Sequence, residues 1–139
     1  MIILDTNVVS ELMRQEPNFA VQDWVRSQKT VNLAITTVTV AEIERGLKRL
    51  PRGKRRRDLE GRFRLFLSEA FEGRILSFDQ AAAESYGGLA AKREAGGLHV
   101  DALDLMIGAI ARDVSAKIAT RNVGDFEKCG VGMINPWGE

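Results

Sequence analysis

The chain has 139 residues, 45% of them hydrophobic and 28% charged, with one cysteine, Cys129, and one histidine, His99. That length suits a single domain with its own core, and the scarcity of Cys and His excludes an internal disulfide, a Cys/His zinc site and a two-histidine acid–base mechanism. The formal net charge is only +1, yet residues 45–64 carry ten basic side chains against Asp58 and Glu60, a local +8 that leaves −7 on the other 119 residues.

Ile2–Leu4 is a short apolar run, read as a buried strand that ends at Asp5 and turns into a helix from about Val8 to Arg14. Pro17 and Asn18 break the chain before an amphipathic helix carrying Phe19, Val21, Trp24 and Val25. Residues 32–36 read as a second strand. Thr39 followed by Glu42 has capping-box spacing and opens a helix with Val40, Ile43, Leu47 and Leu50 on its apolar side, ended by Pro51 and Gly53. The basic run continues into a helix bearing Leu59, Phe63, Phe66, Leu67 and Phe71. A third strand spans residues 75–78, and Asp79 caps a helix reaching about Glu94, stopped by Gly96 and Gly97. Asp101 opens another, with Leu103, Met106, Ile107, Ile110 and Val114 on one face. Residues 117–120 and 131–134 supply the last two strands.

Most of these strands are apolar throughout rather than alternating, and they are interleaved with helices. Together they predict an α/β fold, a parallel sheet of about five short strands flanked by helices, in one domain spanning 1–139. No repeat or linker marks a second domain. The first residues lack the basic start of a signal peptide and no apolar run has membrane-spanning length, so a soluble cytoplasmic protein without a membrane partner is expected. In such sheets, sites gather beyond the carboxyl ends of the strands.

Several polar groups fall at that edge. Asp5 ends the first strand and serves either as a helix cap or as a site residue. Glu42 is accounted for as the far half of the capping box. Asp104 is harder to place, because Asp101 already caps its helix and no other charge lies within residues 102–111. A lone carboxylate there costs several kcal/mol on burial without a cation. Glu42 and Asp104 each have a glycine four residues on, Gly46 and Gly108, which fits either close approach of a ligand or tight helix packing. After the fourth strand, Asn122 or Asp125 can reach the edge of Asp5, or can simply form a turn and cap. Carboxylates drawn together from distant segments call for divalent cations, and oxygen-only donors suit Mg²⁺ or Mn²⁺ rather than zinc.

The pattern resembles the PIN-domain ribonucleases, and among them the VapC and FitB type toxins of bacterial toxin–antitoxin pairs. The matching stretches are Ile2-Ile3-Leu4-Asp5-Thr6-Asn7-Val8-Val9-Ser10-Glu11, Thr37-Val38-Thr39-Val40-Ala41-Glu42, Asp104 with Ile107-Gly108-Ala109-Ile110-Ala111, residues 119–126, and Ile134-Asn135-Pro136-Trp137. They span the chain in the family's order. The resemblance implies a PIN-like fold with metal-binding acids at Asp5, Glu42 and Asp104, and with Asp125 as the fourth catalytic acid supported by Asn122. Thr6, Asn7 and Thr120 would orient the carboxylates. It further implies Mg²⁺, with Mn²⁺ as a substitute, and RNA cut to 5′-phosphate and 3′-hydroxyl ends. A homodimer and a cognate antitoxin of VapB or FitA type are implied as well. The antitoxin would lay apolar residues in a groove and place an arginine in the acidic pocket. Arg49, Arg52, Lys54, Arg55, Arg56 and Arg57 are the expected hold on the RNA backbone.

Other readings fit less well. A haloacid dehalogenase-like phosphatase needs a second Asp where Asn7 stands, and a receiver-like domain needs an acid pair after the first strand. A degenerate module that binds nucleic acid without cutting it stays open through Asn122. No nucleotide-binding glycine motif is present.

Overall fold

The computed structural model describes residues 1–139. In chain order the elements are β1 (Ile2–Leu4), α1 (Thr6–Leu12), α2 (Phe19–Ser27), β2 (Leu33–Thr36), α3 (Thr37–Lys48), α4 (Lys54–Ala70), β3 (Ile75–Leu76), α5 (Gln80–Ala95), α6 (Ala102–Asp113), β4 (Lys117–Ala119) and β5 (Met133–Ile134). Short 3₁₀ turns occupy Thr30–Asn32 and Val123–Phe126. All four strand pairings are parallel and the spatial order is β3-β2-β1-β4-β5. The expected fold class is therefore the observed one. No helix is long and apolar enough to cross a membrane.

Strand residues alternate between two cores, which is why the strands read as apolar throughout. Leu4, Leu33, Ile35 and Ala119 face Val8, Val9, Val21, Ile43, Leu47, Phe63 and Phe71 on one side of the sheet. Ile3, Ala34 and Ile118 face Val38, Ile107, Ile110 and Phe126 on the other. The strongly basic α4 is held down by Phe63, which is fully buried, with Leu59, Phe66 and Leu67 packed around the same core. Burying one such phenyl ring is worth roughly 1.5–3 kcal/mol, enough to seat a helix whose other faces are charged.

Several boundaries differ from expectation. Helix α1 starts at Thr6 and ends at Leu12, because Asp5 itself caps it by accepting from the Thr6 amide at 2.8 Å. In α6 the buried face is formed by Leu105, Ile107, Gly108, Ala109, Ile110 and Ala111, whereas Leu103 and Val114 are exposed. The apolar stripe is thus rotated from the one predicted, since Gly108 and two alanines lie against the neighbouring layer. A Cβ at Gly108 would sit 3.4 Å from Cys129 Sγ and 3.6 Å from Phe126, ordinary packing contacts, so this glycine faces the neighbouring layer rather than the crevice. The strands β3 and β4 end earlier than read, at Leu76 and Ala119, and β5 begins later, at Met133.

Candidate active site

The strand order reverses at β1, where the chain has built outward through β2 and β3 and then returns to β4 on the other side. At such a switch point the carboxyl ends of neighbouring strands leave a crevice. Asp5 follows β1 and Thr120 follows β4, and the two meet across it. The Asp5 amide donates to Ala119 O at 2.9 Å, and Thr120 Oγ1 donates to Asp5 Oδ2 at 2.8 Å. Asn7 Nδ2 donates to the same Oδ2 at 3.3 Å. Asp5 is both a helix cap and a buried carboxylate at the crevice, only 4% exposed. Burial raises its pKa, the Thr120 hydroxyl and Thr6 amide oppose that, and the Glu42 and Asp125 charges raise it further.

Glu42 reaches the crevice from α3, and the capping-box reading of it does not hold. Thr36 caps α3, its hydroxyl accepting from the Thr39 amide at 3.1 Å, and Thr39 lies buried within the helix. Glu42 is therefore free of the helix end. Its Oε1 accepts from Thr6 Oγ1 at 2.7 Å, and the Thr6 hydroxyl also lies 3.0 Å from that of Thr39.

Asp104 comes from the first turn of α6, whose amino end lies at the same edge. Asp101 accepts from the Asp104 amide at 3.0 Å, so capping is supplied without the Asp104 carboxylate. That carboxylate accepts no hydrogen bond from the chain. Its pKa is pushed up to about 7, first by burial and then by the charges of Asp101, Asp5, Asp125 and Glu42.

Asp5, Glu42 and Asp104 line a cavity of about 510 Å³, with Thr6, Asn7 and Asn122. Asn122 donates its amide to Thr120 Oγ1 at 3.0 Å. Asp125 sits on the 3₁₀ turn, exposed and outside that lining, although its charge acts on both Asp5 and Asp104. Sequence reasoning did not single out four other residues of the wall, Glu11, Arg14, Arg121 and Trp137. Glu11 is 7% exposed, accepts from the Asn18 amide at 2.9 Å and pairs with Arg14 at 3.3 Å. A carboxylate on a short helix otherwise dominated by Val8, Val9 and Leu12 was the signal that could have found it.

None of Asp5, Glu42, Asp104 and Asp125 takes part in an ion pair. Asp5 and Glu42 accept only from hydroxyls and amides, and the available metal ligands are all oxygens. No three acidic side chains stand close enough to share one ion as they are placed. The donor chemistry fits a hard divalent cation, and the repulsion raising Asp104 is what such a cation would relieve.

The basic segment adjoins this cavity. A groove of about 1030 Å³ between α1, α3 and α4 includes Lys54 and Arg55 and shares Thr6, Ser10, Arg14 and Glu42 with the acidic cavity. Arg49, Arg52, Lys54, Arg55 and Arg57 are exposed and form no ion pair. Arg56 differs, because Glu60 holds it at 3.0 Å while also taking Lys48 at 2.7 Å and Arg64 at 3.7 Å. Lys48 and Arg56 lower the Glu60 pKa. A Cβ at Gly46, which also lines the groove, would meet nothing.

The chain is 44% identical to the plasmid stability protein StbB of Pseudomonas syringae pv. tomato, over 99% of both chains. It is 40% identical to the VapC ribonuclease Y4jK of Sinorhizobium fredii (99% of this chain, 98% of the relative) and 36% identical to the toxin FitB of Neisseria gonorrhoeae (99% of both). Among solved structures, FitAcB from Neisseria gonorrhoeae superposes with a TM-score of 0.94 over the full length of both chains at 36% identity. A family model described as "PIN domain" matches residues 2–130, a span that contains every acid of the crevice. By that family model and by its likeness to these relatives, the chain belongs to the PIN domain family.

Proposed function

We propose that this chain is a divalent-cation-dependent endoribonuclease acting as the toxin of a toxin–antitoxin pair, leaving 5′-phosphate and 3′-hydroxyl ends. The observation that carries the reading is the meeting of Asp5, Glu42 and Asp104 from three distant segments in one crevice, without an ion-pair partner among them. The names of the relatives, a VapC ribonuclease and a toxin, support the activity and the biological role.

Asp5, Glu42 and Asp104 would hold the metal, with Asp125 acting as the fourth acid through its charge and Asn122 beside it. When bound, Mg²⁺ or Mn²⁺ supplies a Lewis acid for water activation and for the leaving 3′-oxygen in an in-line displacement. The chain's own residues do the rest. Thr120 and Asn7 fix Oδ2 of Asp5, and Thr6 fixes one oxygen of Glu42 while the other stays available. Arg49, Arg52, Lys54, Arg55 and Arg57 hold phosphates along the RNA, drawing a polyanion toward a crevice that would otherwise repel it. Arg56 contributes mainly by ordering α4 through Glu60. No histidine or cysteine is needed. A homodimer and an antitoxin of VapB or FitA type in the cytoplasm complete the reading.

The test is cleavage of labelled RNA by purified wild type and Asp104→Asn, with Mg²⁺ and with EDTA. Cleavage by wild type with Mg²⁺ alone is expected. Equal cutting by both proteins in EDTA would defeat the reading. The spacing of the acids, too wide to share an ion unaided, and the amide of Asn122 on the cavity wall favour a second reading, a module that binds RNA without cutting it. Binding without Mg²⁺-dependent products in the same assay would establish that one.

A further inference from the structure

Two cations stand in the wall of the acidic cavity, Arg14 and Arg121, and they are held in different ways. Arg14 pairs with Glu11, whose side chain is 8% exposed, so releasing Arg14 would leave a buried carboxylate uncompensated. Arg121 pairs with Glu139, and both of these side chains are about half exposed, at 50% and 54%. Exposed pairs of this kind hold weakly and exchange cheaply.

The root of Arg121 is fixed although its head is loosely held. Its backbone amide donates to Asn7 Oδ1 at 3.4 Å, and the preceding residue, Thr120, is bonded to Asp5. The guanidinium lies over the Trp137 ring, 5.2 Å from its centroid. Trp137 in turn packs against the core on the α1 side of the sheet, with its amide donated to Asn135 Oδ1 at 2.9 Å. The aromatic platform holds the guanidinium plane at the rim. The head is engaged as a fork, Nε to Glu139 Oε1 at 3.0 Å and Nη2 to Oε2 at 3.3 Å. Two oxygens so placed are what the non-bridging oxygens of a phosphodiester also present.

We propose that Arg121 is a phosphate-binding residue of this site, passing its guanidinium fork from the Glu139 carboxylate to a backbone phosphate of the RNA, so that Glu139 competes with substrate. The inference rests on the nuclease reading above. Of the two cations, Arg121 alone can change partners without stranding a buried charge, and Asn7 and Thr120 tie its root to Asp5. The Glu139 pair keeps the guanidinium neutralised and pointed until RNA arrives. Arg121 binds and positions, and no bond is made or broken on it.

The experiment measures binding of a fluorescein-labelled 20-nucleotide single-stranded RNA in EDTA across a salt series, and kcat and KM with Mg²⁺, for full-length wild type, Arg121→Ala, Arg121→Lys, Glu139→Gln and the Arg121→Ala/Glu139→Gln double variant. Arg121→Ala is expected to weaken binding about tenfold, to reduce the slope of log affinity against log salt by about 0.7, and to raise KM more than it lowers kcat. Arg121→Lys keeps the charge without the fork and falls between. Glu139→Gln is expected to tighten binding about two- to fivefold, a gain that damage to the fold would not produce. That gain should vanish when Arg121 is already Ala. Unchanged affinity and salt slope in Arg121→Ala, or a gain from Glu139→Gln that persists in the double variant, overturns the proposal while leaving the nuclease reading intact. Failure of wild type itself to bind the RNA overturns both.

Discussion

Asp104→Asn exchanges a carboxyl pushed up from 3.8 to about 7 for a neutral group of the same shape, at a position whose helix is already capped by Asp101. At face value that shift corresponds to about 4 kcal/mol, since one pKa unit is about 1.36 kcal/mol. Asp104 is partly exposed, and solvent screening reduces the effect to roughly 1–2 kcal/mol. The helix dipole works the other way, favouring the charged acid in the first turn by about 0.3–1 kcal/mol, and the raised pKa says that burial and repulsion outweigh it. With the folded-state value raised, the native chain keeps a proton that the unfolded chain has already released. The contribution of this group is then complete below pH 3.8 and is lost as pH rises through about 7. Asn cannot lose it. In EDTA at pH 8 the variant should therefore melt roughly 3–6 °C above wild type, with the gap closing toward pH 4. Circular-dichroism melts of both proteins over that pH range measure this. Saturating Mg²⁺ should reverse the order, because ligand binding stabilises only the chain that holds the ion. A variant no more stable than wild type at pH 8 in EDTA would refute the claim that repulsion and burial strain this acid.

Asp5→Asn should reduce cleavage to background while the protein still melts cooperatively, because the amide oxygen can still accept from the Thr6 amide and the new amide nitrogen can donate to the Thr120 hydroxyl, which turns to accept; gel assays beside thermal melts separate the two effects. Neutralising Lys54, Arg55 and Arg57 together should lower the slope of log affinity against log salt by about 2 for single-stranded RNA, and Arg56→Gln should change it less, since Glu60 already holds that side chain. Gly46→Ala should stabilise the chain in urea by up to about 1 kcal/mol, as its Cβ would enter open space, whereas Gly108→Ala should gain less against Cys129 and Phe126.

The fold was legible because buried parallel strands read as continuous apolar runs, and because Asp79 and Asp101 are caps that declare their helices. Asp104 was legible for a physical reason too, as a charge without a local task. Glu42 was harder. Thr39 and Glu42 have the spacing of a capping box, but Thr36 stands three residues earlier and takes the cap, a choice decided by where β2 ends rather than by local pattern. Glu11 escaped notice because its partners, Arg14 and the Asn18 amide, assemble around the turn after α1. The roles of the basic residues could not be separated in one dimension. Arg55 and Arg56 are neighbours, yet helical geometry aims one at the groove and the other at Glu60 four residues on.

The near-zero net charge conceals how the pairs are allotted. The acids that form ion pairs are glutamates, Glu11, Glu44, Glu60 and Glu139, and they take up Arg14, Lys48, Arg56, Arg64 and Arg121. Asp5 and Glu42 receive hydroxyl and amide donors instead, from Thr6, Asn7 and Thr120, and the Asp104 carboxylate receives none. Each such bond to a charged group contributes about 1.5–3 kcal/mol and orients an oxygen, but it brings no positive charge. A lysine in place of Thr120 would satisfy Asp5 permanently and would contest any cation for it. By committing the nearby arginines to Glu11 and Glu139, the chain keeps its crevice negative and its acids available, and the burial and unrelieved repulsion that raise the Asp104 pKa are the cost of that availability.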